Sequence, residues 1–536
     1  MTPIVRRPRP LAASMLVLAL LSASVAVAAP ASSKATPTAR KTAAAPARPV
    51  RTGLETLEKQ VQEFTLANGL RFIVVERHQA PVFSFFTVVN SGSANDAVGT
   101  TGLAHMMEHM AFKGTSLVGT TDYAKEKPLL DAEERAWQAL LEERRKGARA
   151  DTARLRRLEE AFTDVQQASQ KLVVPNEFTR IVEQAGGQGI NAFTASDITA
   201  YFYSLPSNRL EMWASLFAGA MVDPVFREFY KERDVVYEER RMRTESSPLG
   251  RLVNEFITTA FTAHPYGFGG IGYPSDLKTF SRTEGEEFFR RAYVAKNMTV
   301  CVIGDVTLAE VKRVAERYFS AISSDPAPPP IDTVEPKQIA ERRILLEDKA
   351  QPFVLMGWHV PAASDPSYAA YKAAADLLGG GNWSRLNKAL VKDQKIAVQA
   401  QTFIGFPGEM YPTLMAGLLV PATGQDPEKV EAAAYAVIDE VLGDKPFTDE
   451  ELDGYKVRMR ASKIGAVSQN SSLASELAQA QSLYGDWREF FREQERIQSL
   501  KPADLVNALK SALVKSNRTV AMIKNPSATA ANEGGR

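Results

Sequence analysis

The stretch "GLAHMMEHMAFKGT", residues 102 to 115, holds His105 and His109 with Glu108 between them. In an α-helix each residue turns by ~100°, so His105 and His109 project from one face and Glu108 flanks it. Two imidazoles one turn apart can hold a zinc ion from a rigid base. A carboxylate beside such an ion, not itself a ligand, can take a proton from water at neutral pH. The whole chain of 536 residues contains only five histidines. Two of them at ligand spacing beside a glutamate favour a metal site over a structural helix, whose buried imidazoles would leave donors and acceptors to satisfy.

A catalytic zinc usually takes three protein ligands and keeps a fourth position open. The segment "KERDVVYEERRMR" offers Glu232, Glu238 and Glu239. Glu232 and Glu239 stand seven residues apart, which is ~700° of helical rotation, and share a face with Val236. Glu238 lies ~100° from Glu239 and reads as solvated. Helix geometry alone leaves the Glu232–Glu239 pair open between a ligand role and an ordinary charged surface.

The elements around these residues fall into two halves. "FTLANGLRFIVVER" and "PVFSFFTVVNSGS" read as two strands joined by a turn. The histidine segment follows as a helix, with Thr101 as N-cap and Gly114 as its stop. "GINAFTASDITAYFYSLP" is strand-like around a polar turn, "FREFYKERDVVYEERRMR" is helical, and "NMTVCVIGDV" closes the half as a strand. A Pro-rich connector, "SSDPAPPPIDTVEP", then marks a boundary. Beyond it the plan repeats: "RRILLEDKAQPFVLMGWHV", "VQAQTFIGFPGEMYPTLMAGLLVPA", "DKPFTDEELDGYKVRMR" and "NRTVAMIKNP" echo the earlier segments in order. Hairpins and irregular alternation predict an α+β class, two related α+β domains in one chain. Residues 126–173 have no counterpart in the second half and are rich in Ala, Leu, Glu and Arg, strong helix formers. They predict an inserted helical hairpin with solvated charged faces, Gly147 and Asp151 marking its bend.

The N-terminus has the three-part pattern of a secretory signal: Arg6, Arg7 and Arg9, then "LAASMLVLALLSASVAVA", then small residues at Ala26-Val27-Ala28. The apolar run is shorter than the ~20 residues a spanning helix needs. Cleavage after Ala28 and export to a periplasm are expected. The predicted organisation is a signal peptide (1–28), a disordered tether (29–52), a first domain (53–322), a linker (323–340), a second domain (341–525) and a disordered tail (526–536). With 64 Lys+Arg against 63 Asp+Glu, nothing favours nucleic acid, for which a basic face is expected. The single cysteine, Cys301, cannot form an internal disulfide and reads as a buried thiol.

The inverted His-x-x-Glu-His helix, "INAFTASDITAYFYSLP", "DPVF", "ERDVVYEE", "HPYGFGGIG" and "SRL" occur in an order that resembles the insulinase–pitrilysin family of zinc metallopeptidases, in its short two-domain, processing-peptidase-like form. The resemblance spans about residues 64 to 525. It implies a mitochondrial-processing-peptidase-like metallohydrolase fold, two related domains enclosing a chamber, and one zinc ion per chain. It makes His105, His109 and Glu239 the metal ligands, Glu108 the catalytic base and Glu232 a supporting carboxylate. Asn191 and Ala192 match the strand edge where a peptide adds as an extra β-strand. His264 matches a family loop loosely and reads as structural.

The sequence also departs from that pattern. His109 and Glu239 are 130 positions apart, longer than the family's usual spacing, and the insert accounts for most of the excess. The second half has no His-x-x-Glu-His, and Arg460 falls opposite Glu239. Active members carry an Arg and a Tyr in the second unit that hold the substrate backbone; Val391 and Val398 stand at those positions here. The resemblance therefore implies the zinc-bearing subunit of a heterodimer whose partner supplies the Arg/Tyr clamp, with a homodimer as the other arrangement and a non-catalytic scaffold subunit as the competing function.

Overall fold

The computed structural model describes residues 53–525. The expected signal peptide, tether and C-terminal tail lie outside these residues. The first sheet comprises β1 (Gln62–Thr65), β2 (Arg71–Glu76), β3 (Val82–Val89), β4 (Gln188–Thr194), β5 (Thr199–Pro206) and β6 (Met298–Gly304), in the order β1-β2-β6-β3-β5-β4. The second comprises β7 (Arg342–Glu347), β8 (Phe353–Val360), β9 (Ala397–Phe406), β10 (Thr413–Pro421) and β11 (Arg518–Lys524), in the order β7-β11-β8-β10-β9. Apart from the edge strand β1, which has no counterpart, replacing β2, β6, β3, β5 and β4 by β7, β11, β8, β10 and β9 converts one order into the other. The parallel pair β2–β6 likewise recurs as β7–β11, among otherwise antiparallel neighbours. The chain is thus two related α+β units, as the internal echoes predict.

The stretch expected to form one strand, residues 64 to 77, folds as the β1–β2 hairpin, with Phe64 opposite Phe72. Strands β2 and β3 are not neighbours, because β6 inserts between them. A turn fixes neighbours in sequence, but the return of β6 from over 200 residues away is decided by burial. All of β6 is buried, which suits only a central position.

Side chains alternate across each strand, so the first sheet has two apolar faces. Phe72, Val74, Phe83 and Phe85 enter a core with Trp213 and Phe217. Ile73, Val75, Phe86 and Cys301 face the other way, against Leu473, Ala474 and Leu477 of a helix from the second half, Asn470–Tyr484. The exchange is reciprocal: Leu252 and Phe256 of the first-half helix Pro248–Ala260 pack with Leu355, Leu414 and Ala521 of the second sheet. Each half covers the other's sheet, so the two must fold as a pair. Cys301 is fully buried, and burial pushes its thiol pKa up, away from reactivity.

Residues 126–173 form the expected hairpin, with helices Tyr123–Arg145 and Thr152–Gln170 joined through Gly147 and capped by Asp151, which accepts from the backbone N–H groups of Ala153 and Arg154. The charged faces are largely solvated as expected, but Glu126 and Glu133 of the first helix are buried. The first buries Leu130, Trp137, Leu140 and Leu141 against the body of the first domain.

Candidate metal and catalytic site

The histidine helix runs Leu103–Met110 and buries Met106, Met107 and Met110 along with His105. Its N-terminus differs from expectation. Gly102 is the N-cap, at φ +98, and a Cβ there would meet the Ile271 carbonyl oxygen at 2.5 Å. Asp96 accepts from the backbone N–H groups of Gly102 (2.7 Å) and Ala104 (2.9 Å), supplying from a distance the cap expected of Thr101. The Thr101 hydroxyl instead donates to Asp276 at 2.7 Å. The helix also ends earlier than expected, at Met110, and Gly114 turns the loop beyond it.

The glutamate helix runs Phe229–Arg240 and lies against the histidine helix, with Val236 fully buried on its inner face. His105, His109 and Glu239 come together so that one ligand atom from each lies within 4.8 Å of the others. His105 Nε2 is 3.7 Å from Glu239 Oε1, and His109 Nε2 is 3.5 Å from Glu239 Oε2. Ligands ~2.1 Å from a tetrahedral zinc are separated by about 3.4 Å, so the donor set and its spacing fit that ion. The Nδ1 atom of His105 is buried with no partner among the described residues. Glu238 points elsewhere and pairs with Arg241 at the surface.

Electrostatics divides the two imidazoles. Burial, reinforced by the neighbouring His109, lowers the His105 pKa to about 4, keeping this ring neutral and able to donate a lone pair. Burial opposes charge on His109 too, but hydrogen bonds to Glu232 and Glu239 outweigh it and raise the pKa to about 9. Glu232 and Glu239 are each held at about 2: the histidine contacts, with Lys113 for Glu232 and Arg243 for Glu239, overcome the cost of burial. The two carboxylates are thus held ionised and the His105 ring neutral, the states in which each can bind a cation, while His109 gives up its proton on ligation.

Glu232 does not join the ligand group. Its Oε1 lies 2.8 Å from His109 Nδ1, and Lys113 Nζ lies 2.6 Å from its Oε2. A carboxylate behind a ligating imidazole fixes the ring's tautomer and orientation. Glu108 stands apart from the ligand atoms, 3.9 Å from His105 Nε2, and accepts a hydrogen bond from the Thr194 hydroxyl at 2.8 Å. Burial raises its pKa against the opposing effect of Thr194, as a group that must both take and return a proton requires.

Asn191 and Ala192 lie on β4, opposite Phe202 and Tyr201 of β5. Strand β4 is the last in its sheet, so its other edge carries no strand. A cavity of about 260 Å³ opens between them and the site, lined by Glu108, His109, Phe112, Asn191 and Ala192 among others. His264 is buried in an aromatic group with Phe261, Tyr266 and Tyr411, its Nδ1 accepting from the Tyr266 N–H, in keeping with a structural part.

Three contributors escaped the sequence reading. Thr194 ends β4 beside Glu108. Lys113, in the loop after the histidine helix, pairs with Glu232, and Arg243 follows Glu239 by one turn, its Nη1 2.8 Å from Glu239 Oε1. Arg243 had a signal, its four-residue spacing from Glu239; the Lys113–Glu232 and Thr194–Glu108 contacts are tertiary and had none.

The chain is similar to known proteins over most of its length. A family model described as "Insulinase (Peptidase family M16)" matches residues 71–128 and 165–268, and one described as "Peptidase M16 inactive domain" matches residues 279–459. The zinc protease PqqE of Helicobacter pylori is 28% identical over 472 residues, covering 86% of this chain and 92% of that protein. An uncharacterized zinc protease of Mycobacterium leprae is 24% identical over 464 residues, covering 86% and 90%. The solved structure of a protease from Helicobacter pylori matches with a TM-score of 0.72 at 26% identity, covering 87% of this chain and 99% of that one. The first half of the periplasmic protease PqqL from Escherichia coli shares the fold, with a TM-score of 0.64 at 17% identity over 88% and 93% of the two chains.

Proposed function

Since the chain belongs to the insulinase family, peptidase family M16, we propose that it is an exported zinc metallopeptidase. It hydrolyses peptides or unfolded segments bound as an added strand, and is the metal-bearing subunit of a two-chain enzyme. The observation that carries this reading is the convergence of His105, His109 and Glu239 beside a separate carboxylate, Glu108, next to the free edge of β4.

His105, His109 and Glu239 would hold the ion, with Glu232 behind His109. A zinc ion bound there supplies Lewis acidity, polarising a carbonyl and making water a better nucleophile at neutral pH. The protein does the rest. An extended peptide pairs its backbone with the free edge of β4 at Asn191 and Ala192, a mode that holds many sequences alike. Glu108 takes a proton from the attacking water as its oxygen bonds to the carbonyl carbon. It returns a proton to the departing amine as the C–N bond breaks. The Thr194 hydroxyl keeps the Glu108 carboxylate turned toward the reacting groups.

Two features support a second chain. Val391 is half-buried against the second core and Val398 is an exposed valine, so neither clamp position offers an arginine or tyrosine. Export finds support in the arginine-led apolar leader of the sequence and in the periplasmic setting named for PqqL. No helix of the described residues is long and apolar enough to cross a membrane. The alternative, a non-catalytic scaffold subunit, lacks any observation in its favour at the first-half site. The test is native purification from the periplasm, followed by zinc analysis and cleavage of an unstructured peptide with and without chelator. Chelator-sensitive cleavage that needs a co-purifying second chain supports the full reading. Full cleavage by the isolated monomer removes the second chain, and metal-free protein without cleavage favours the scaffold.

A further inference from the structure

Residues 129–164 lie outside the match to the family model, yet the hairpin they build is fastened to the helix that carries Glu232 and Glu239. Trp137, almost fully buried, comes from the hairpin's first helix. Its ring lies 4.9 Å from that of Tyr230, and the Arg233 guanidinium sits over the indole at 4.1 Å. The Tyr230 hydroxyl donates to Glu134 at 2.5 Å. Tyr230 and Arg233 belong to the glutamate helix, on a face roughly 130° around from Glu232 and Glu239. The helix is therefore gripped from both sides, by the histidine helix and by the insert.

A second fastening lies just before that helix. Arg227 is 1% exposed and Glu126, from the hairpin's first helix, is fully buried. The Arg227 Nε and Nη2 atoms donate to the two oxygens of Glu126, at 2.9 and 3.2 Å. Its remaining donors reach the carbonyls of Lys113 (2.6 Å), Thr115 (2.6 Å) and Val118 (3.0 Å), in the loop that follows His109. That loop wraps the guanidinium through Gly114 and Gly119, both at φ +93; a Cβ on Gly119 would lie 2.8 Å from Arg227 Nη1. The histidine helix, the glutamate helix and the insert thus meet at one buried ion pair. A buried arginine whose carboxylate is removed keeps the cost of its own desolvation, so the junction depends on the insert.

We propose that the inserted hairpin is a positioning element for the metal site, with Glu126 and Trp137 as its positioning residues. This rests on reading His105, His109 and Glu239 as the metal ligands. By holding the glutamate helix in register with the histidine helix, the hairpin places Glu239 at the distance from both imidazoles that one ion requires. A ligand displaced by a fraction of an ångström costs affinity, because ligating distances are narrow.

The test measures zinc affinity of the folded full-length chain by competition with a chromogenic chelator, alongside circular dichroism and thermal melting. Wild-type protein is measured first; if it binds no zinc, the proposed function fails before this inference is reached. Given binding, Glu126→Gln and Trp137→Leu are expected to raise the zinc dissociation constant about tenfold or more while the protein remains folded. Trp137→Phe, which keeps an aromatic face for Arg233, is expected to recover most of the loss. Glu159→Ala, which removes the exposed pairing with Arg144 near the hairpin tip, is expected to stay within about twofold of wild type. Folded Glu126→Gln or Trp137→Leu protein with wild-type affinity would overturn the proposal. So would loss of folding in both variants together with unchanged affinity in Trp137→Phe, since the insert would then serve integrity alone.

Discussion

Glu232 Oε1 and His109 Nδ1 are 2.8 Å apart, on the side of the imidazole away from Nε2, which faces Glu239 at 3.5 Å. One ring is held by one carboxylate and aimed at another. Glu232 is therefore predicted to matter without being a ligand. Glu232→Gln keeps a hydrogen-bond acceptor but loses the charge, and zinc affinity is expected to fall about 10- to 100-fold with the protein still folded. Chelator competition checks this. A loss of all binding would make Glu232 a ligand, and unchanged affinity would make it surface charge.

Substrate binding along β4 predicts dependence on the backbone of the peptide rather than its side chains. Replacing alternate backbone N–H groups of a good substrate by N-methyl groups removes hydrogen bonds to the edge that carries Asn191 and Ala192. KM is expected to rise about fivefold per critical position, each hydrogen bond being worth about 1 kcal/mol. Equal cleavage of methylated and unmethylated peptides would rule out strand addition.

The hairpin interface has a pH signature. Glu133 is buried, and desolvation raises its pKa to about 7, with Arg282 offsetting only part. A carboxyl group with a raised folded pKa leaves stability intact below its unfolded value near 4.5 and lowers it as pH rises through about 7. Glu133→Gln is therefore expected to stabilise the protein by about 1–3 kcal/mol at pH 8.5 and by almost nothing at pH 4.5. Urea unfolding at the two pH values measures the difference. An equal effect at both would assign it to packing.

Zinc itself should stabilise the fold, because ligands from two helices are joined by it. At a free concentration 100 times the dissociation constant the expected gain is about 2.7 kcal/mol. Thermal melting with zinc and with chelator tests this, and His105→Ala should abolish the difference.

The sequence revealed those parts of the protein that depend on short-range geometry. The spacing of His105 and His109, and the shared face of Glu232, Val236 and Glu239, follow from 3.6 residues per turn, and the helices deliver them where that period predicts. The choice of Glu239 over Glu232 as ligand came from the family resemblance, not from the helix. What was hidden is tertiary. Asp96 caps the histidine helix from across a glycine turn, leaving Thr101 to hold Asp276. Strand β6 separates β2 from β3 because an entirely buried strand belongs in the middle of a sheet. The hairpin's charge suggested a solvated element, while Trp137 and Glu126 within it are the buried residues that tie it to the site.

The proposed function stands on Glu108 as the catalytic base of a site built by His105, His109 and Glu239. The most direct measurement is zinc content and peptide hydrolysis for Glu108→Gln beside wild type, each purified with whatever chain accompanies it. One zinc per chain is expected in both, with hydrolysis reduced by about 10²–10⁴-fold or more in the variant. Hydrolysis retained in zinc-loaded Glu108→Gln, or zinc lost with the substitution, would contradict it.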